Sequence, residues 1–227
     1  MKRLIFIIVM CLSFAAIEAQ NTQNAPAPEK TFADLKNEGN AAINLKDYQK
    51  ALDLYEQALV KLGDQPIVDT SMIYNMGYCA FSTKNYEKAL KYFDKTLSMN
   101  YKKVNSLIYV ADSYKAMKKD AESLKPLEEA LAIAPDDARV KSKLAFYYVK
   151  SATGFYSKGS AIITKVNGDI TSGKLKTTDP AYIAAEKKAN DEYTKAMPLI
   201  EKALTFDPAN KTATQLKTAI ETALKPQ

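Results

Sequence analysis

The chain has 227 residues, no histidine, and 32 lysine and arginine residues against 26 aspartate and glutamate residues, for a formal net charge of +6. The missing imidazole excludes a histidine general base, a histidine-activated nucleophile and a histidine-ligated metal. A Gly-rich phosphate loop and a Gly-x-Ser-x-Gly elbow are also absent, so no catalytic, metal or cofactor-binding residues are predicted, and the protein is expected not to be an enzyme.

Residues 1–19 begin with Lys2-Arg3, continue as a run from Leu4 to Ile17 that is apolar apart from Ser13, and end in Glu18-Ala19. A charged start, a short apolar core and a small residue before a polar stretch make a secretory signal peptide, with cleavage expected after Ala19. The rival reading, a retained anchor, meets a run shorter than the ~20 residues that span a bilayer. Cys11 follows Met10 inside that run, a context that does not suit lipidation. Removal of the segment leaves 30 basic and 25 acidic residues and one cysteine, Cys79, which excludes an intramolecular disulfide and reads as a buried, inert thiol among Tyr78, Ala80 and Phe81. The expected location is outside the cytoplasm, most simply the periplasm, with the secreted medium or the envelope as alternatives.

Residues 20–31 carry two prolines and no apolar period, and read as a flexible linker. Beyond them the chain repeats. Gly39, Gly77, Ala111 and Ala145 stand 38, 34 and 34 residues apart. A second small residue follows each of the first three (Ala51, Ala89, Ser123), and a third comes seven residues later (Ala58, Thr96, Ala130), with Ala196 and Ala203 repeating that pair further on. Tyr55, Phe93, Leu127 and Ile200 lie between the paired small residues. Small residues at fixed places let two helices approach, and the large residue fills the remaining space. Such pairs bury their apolar stripes only by stacking.

This pattern, with Pro135 and Pro208 closing two copies, resembles the tetratricopeptide repeat family. The resemblance implies an all-α fold: a right-handed superhelical solenoid of antiparallel helix pairs over residues 32–224, with repeats at about 32–65, 70–103, 104–137 and 138–209. In the first repeat the helices are expected through Leu45 and over Tyr48–Leu62, and Pro126 and Pro198 each predict a bend within a continuing helix. The fourth repeat holds an insertion at about 150–188. Val140, Leu144, Tyr148, Phe155, Ile162 and Val166 extend one helical face into it, so it reads as an extended helical hairpin with a flexible loop near 167–179, signalled by Asn167-Gly168. A disordered insertion is the alternative. Asp179-Pro180 predicts the return helix, and 210–224 a capping helix with a polar outer side.

The resemblance also implies a function, protein–protein interaction through a concave face lined by the first helix of each repeat. The positions that match that face here include Lys36, Asn40, Tyr74, Tyr78, Phe81, Ile108, Asp112 and Phe146. Its aromatic centre and polar rim suit a peptide or partner protein as ligand, and the alternative is that several of these rings pack against the neighbouring repeat. Some family members hold a C-terminal carboxylate with lysines and asparagines. Lys36 and Asn40 match the first part of that clamp, while Tyr78, Ile108 and Asp112 replace the rest. A structural subunit that docks through the inserted hairpin is the second reading. Nucleic acid is not an expected partner: beyond the leader the only arginine is Arg139, and the lysines alternate with acids, as in Asn85-Tyr86-Glu87-Lys88.

Overall fold

The computed structural model describes residues 29–66 and 69–225. The expected signal segment and most of the linker lie outside them. The described residues form nine helices and no strand: α1 (Phe32–Asn44), α2 (Tyr48–Leu62), α3 (Thr70–Ser82), α4 (Tyr86–Ser98), α5 (Lys103–Ala116), α6 (Asp120–Ile133), α7 (Ala138–Thr171), α8 (Pro180–Phe206) and α9 (Lys211–Ala223). No helix among them is long and apolar enough to cross a membrane. Successive helices pack pairwise, and each pair packs on the next, giving the solenoid that the repeat predicts.

Local chemistry sets the boundaries. Thr31 and Asp34 form a capping box at α1, and side chains of Asp47, Asp69, Asn85, Asp137 and Asn210 accept backbone N–H groups that would otherwise be orphaned at helix starts. The first three pairs turn identically. Lys46, Lys84 and Lys118 take φ values of 60°, 63° and 60°. In each turn that lysine's N–H reaches back to a carbonyl of the first helix, and the next residue's N–H to the preceding one, as in Lys84 to Phe81 at 3.0 Å and Asn85 to Ala80 at 2.9 Å. These bonds satisfy the last carbonyls of α1, α3 and α5 and hold a side chain in the left-handed region that glycine usually occupies.

The interior explains the small-residue register. A Cβ on Gly39 would lie 2.6 Å from Tyr55 Cε1, and one on Gly77 would lie 3.0 Å from Phe93. The glycines therefore receive an aromatic ring from the second helix. Both rings are fully buried, as are Ala51, Ala58, Ala89 and Thr96. Cys79 is buried with them, and burial pushes its thiol up to about 12, so it stays protonated. The core falls into two clusters, one built mainly by α1–α4 and the other by α5–α9, with Leu97 packed against both.

The inserted segment is ordered helix. α7 and α8 pack along their length as an antiparallel hairpin, and α9 covers their base with Ala213 and Ile220. Asn167 and Gly168 lie inside α7 and do not form the expected turn, because the helix continues to Thr171; the Ser172 N–H then bonds the Gly168 carbonyl and Gly173 takes φ 74°. Pro180 occupies the first turn of α8 as predicted, but the Asp179 carboxylate accepts from the Lys176 N–H, 2.7 Å away on the loop side. Pro126 and Pro198 each sit within a continuing helix. Along α7, Ala145, Ala152, Gly159 and Val166 are buried at seven-residue intervals; along α8, Ala189, Ala196 and Ala203 do the same. Tyr193 lies over Gly159, whose added Cβ would come within 2.5 Å of the ring.

Candidate functional site

The first helices α1, α3, α5 and α7 carry the residues that the sequence singles out, and the structure sorts them into three groups. Tyr74, Tyr78 and Phe81 on α3 come together as half-buried members of an aromatic cluster whose hub is Tyr109 on α5. Tyr109 stacks on Phe93 with centroids 5.0 Å apart and planes 4° from parallel. Its ring also meets Phe81 at 5.2 Å, Tyr78 at 5.8 Å and Tyr74 at 6.4 Å in edge geometry. Tyr48 and Tyr101 extend the cluster to either side, and the Lys102 ammonium sits 4.5 Å above Tyr74. Such contacts contribute ~0.5–1.5 kcal/mol each beyond burial. The rings therefore join the second repeat to the third while keeping part of their surface in solvent. Burial raises the Tyr74 phenol to about 12, so its hydroxyl stays protonated at neutral pH.

The second group is committed to the fold. Lys36 pairs with Asp69 at 2.5 Å, and Asn40 accepts the Tyr55 hydroxyl at 2.7 Å. Ile108 is only 7% exposed and belongs to the second core cluster. Asp69 links two repeats: it caps α3 through the Met72 N–H and accepts the Ser71 hydroxyl, besides meeting Lys36. Burial opposes its ionisation, but the Lys36, Ser71 and Met72 bonds outweigh that and hold its carboxyl down to about 2. A depressed carboxyl stabilises the fold above its unfolded value of 3.8, and that stabilisation is lost as pH falls from about 4 toward 2. Acid titration followed by circular dichroism should show this loss, and Asp69→Asn should remove it from the profile while lowering stability at neutral pH.

The third group surrounds a cleft of about 240 Å3 between α5, α6 and α7. Ala111 and Leu127 contribute an apolar lining, with Asp112, Lys115, Phe146 and Lys150 among the other lining residues. Asp112 receives Lys143 on both oxygens at 2.7 and 2.9 Å. Phe146 is 49% exposed, and the Lys115 ammonium stands 3.7 Å from its ring centroid.

Sequence reasoning placed Lys115 on this face with the other first-helix positions of the third repeat, but missed Tyr109 as a member of it. Tyr109 directly follows the carried-over position at Ile108, and one residue is a 100° step around a helix. The concentration of Tyr101, Tyr109 and Tyr114 around the start of the third repeat was the available signal.

A solenoid of helix pairs with a continuous face of first helices is the class this architecture defines. Residues 70–103 match the tetratricopeptide repeat family model. Among solved structures, the chain is similar to a TPR repeats protein from Bacteroides fragilis NCTC 9343, at 24% identity over 86% of this chain and 100% of that one, with a TM-score of 0.52. It is also similar to a tetratricopeptide repeat protein from Parabacteroides merdae ATCC 43184, at 13% identity over 85% of this chain and 73% of that one, with a TM-score of 0.48. The first of these likenesses supports the fold. No curated protein matches the chain.

Proposed function

We propose that this protein is a non-enzymatic interaction module of the bacterial cell envelope, which holds a peptide or a partner protein on the face of its first helices. The observation that carries this reading is Phe146, a half-exposed ring with an ammonium over it on the same face as the partly exposed edges of Tyr74, Tyr78 and Phe81. Large apolar side chains left in solvent beside a cleft favour a partner that covers them. The charged and apolar pattern of residues 1–19 supports the envelope location.

Alanine at Tyr74, Tyr78 and Phe81 would test the fold along with the face, because those rings pack around Tyr109. A photo-crosslinking residue at exposed Ser142, compared with one at exposed Lys91 on α4, avoids this. The proposal expects one partner captured in living cells from Ser142 and not from Lys91, in the envelope fraction. Capture from neither position, or equally from both, would remove it.

A second reading, a subunit of an envelope assembly that docks through the hairpin, is favoured by Ile183, 55% exposed on α8. A crosslinker at Ile183 that captures the partner when Ser142 does not would select it.

A further inference from the structure

The cleft between α5, α6 and α7 has a polarity fixed by its own pairings. Lys143 occupies both oxygens of Asp112, and Lys150 bonds Asp120 at 2.6 Å, so the two lining carboxylates are already neutralised. Lys115 is the remaining cation, and no described carboxylate pairs with it. Its ammonium rests on one face of the Phe146 ring, yet an ammonium has three N–H donors and a ring face engages only one side of it. Three lysines against two carboxylates leave the lining with one excess positive charge beside the buried apolar pair Ala111 and Leu127.

We propose that this cleft binds a partner segment in which an aspartate or glutamate adjoins a large apolar residue. The carboxylate takes the unpaired Lys115, and the apolar side chain covers the exposed part of Phe146 beside the buried Ala111 and Leu127. The inference rests on the reading of the first-helix face as the interaction face, and it names the chemistry that face selects. It differs from the carboxylate clamp implied by the family resemblance, because Lys36 and Asn40 are already bonded within the fold, Ile108 is buried and Asp112 is neutralised. A carboxylate next to apolar surface gains from a lowered local dielectric, whereas a lysine or arginine in its place meets the excess positive charge. A nucleotide fits poorly: a cleft of about 240 Å3 is smaller than ordinary small-ligand pockets and its lining includes no arginine fork.

The test is selection by the full chain from a random library of short peptides with amidated C-termini, so that carboxylates come only from side chains. The bound pool should be enriched in Asp or Glu next to Phe, Leu or Ile. The selected peptides should bind at least about tenfold more weakly to Lys115→Gln and, separately, to Phe146→Ala. Both side chains are solvent-accessible, so helical circular dichroism should be retained. Lys115→Glu should turn the selection toward Lys and Arg. A pool without acidic preference, acidic peptides indifferent to both variants, or no bound peptide would each overturn the inference. Crosslinking from Ser142 separates the two levels: a partner captured there leaves the first-helix reading standing when the acidic preference fails, and no capture removes both.

Discussion

Phe93→Ala should be the most damaging single truncation in the N-terminal half, at about 3–5 kcal/mol. The ring is fully buried, lies against Gly77 and stacks on Tyr109 from the next repeat. Removing it opens a cavity inside one helix pair and also takes the stacked partner from the hub that holds Tyr74, Tyr78 and Phe81. Thermal unfolding should move down by roughly 10 °C or more for a chain of this size. The near-ultraviolet tyrosine signal should weaken in the folded state. A loss below about 1 kcal/mol would mean that Tyr109 does not depend on Phe93 and that the aromatic cluster is held from α3 alone.

Gly159→Val should be nearly as costly, at about 2–3 kcal/mol, although valine is a better helix residue than glycine. The added Cβ would stand 2.5 Å from Tyr193 Cε1 and 2.9 Å from two further ring atoms. That ring is 4% exposed, packs on Tyr156 with centroids 5.5 Å apart, and has its hydroxyl 3.4 Å from Ser160 Oγ. It has little room to retreat, so the helices must part. Hydrogen exchange should quicken at residues 155–166 and 189–200 and stay unchanged in α1–α4, whose core is the other cluster. Gly77→Ala supplies the contrast. Its Cβ would meet Phe93 atoms at 3.0–3.1 Å, and a shift of a few tenths of an ångström is set against ~1 kcal/mol of helix propensity, so its net effect should be near zero.

The parts of the fold that depend on spacing were legible in the sequence. Gly39 and Gly77 fix the stacking register because a ring from the second helix must fit against each one. Apolar positions continuing from Val140 to Val166 likewise announced a long helix. Features decided by tertiary context were not legible. Lysine carries no turn propensity, yet Lys46, Lys84 and Lys118 close three turns in the left-handed region, because the backbone bonds around them outweigh the strain. Asn167-Gly168 is a turn signal that the continuing helical contacts of α7 with α8 override. The first-helix residues were placed on their helices from the repeat register, but which of them are free depends on partners far along the chain. Lys36 is taken by Asp69 and Asp112 by Lys143, whereas Lys115 meets only a ring.

The seven-residue ladder of small side chains in α7 and α8 makes the hairpin a ruler with a fixed unit. Seven residues are nearly two turns and advance a helix by about 10 Å with only ~20° of rotation. Adding or removing one unit in each arm would therefore change its reach while leaving the same stripe between the helices. A single-residue insertion in one arm would instead turn the outer half of that stripe by 100° and set Gly159 away from Tyr193. Length in this element can vary only in whole units, so a reach set by the distance to another surface would be tuned in steps of about 10 Å.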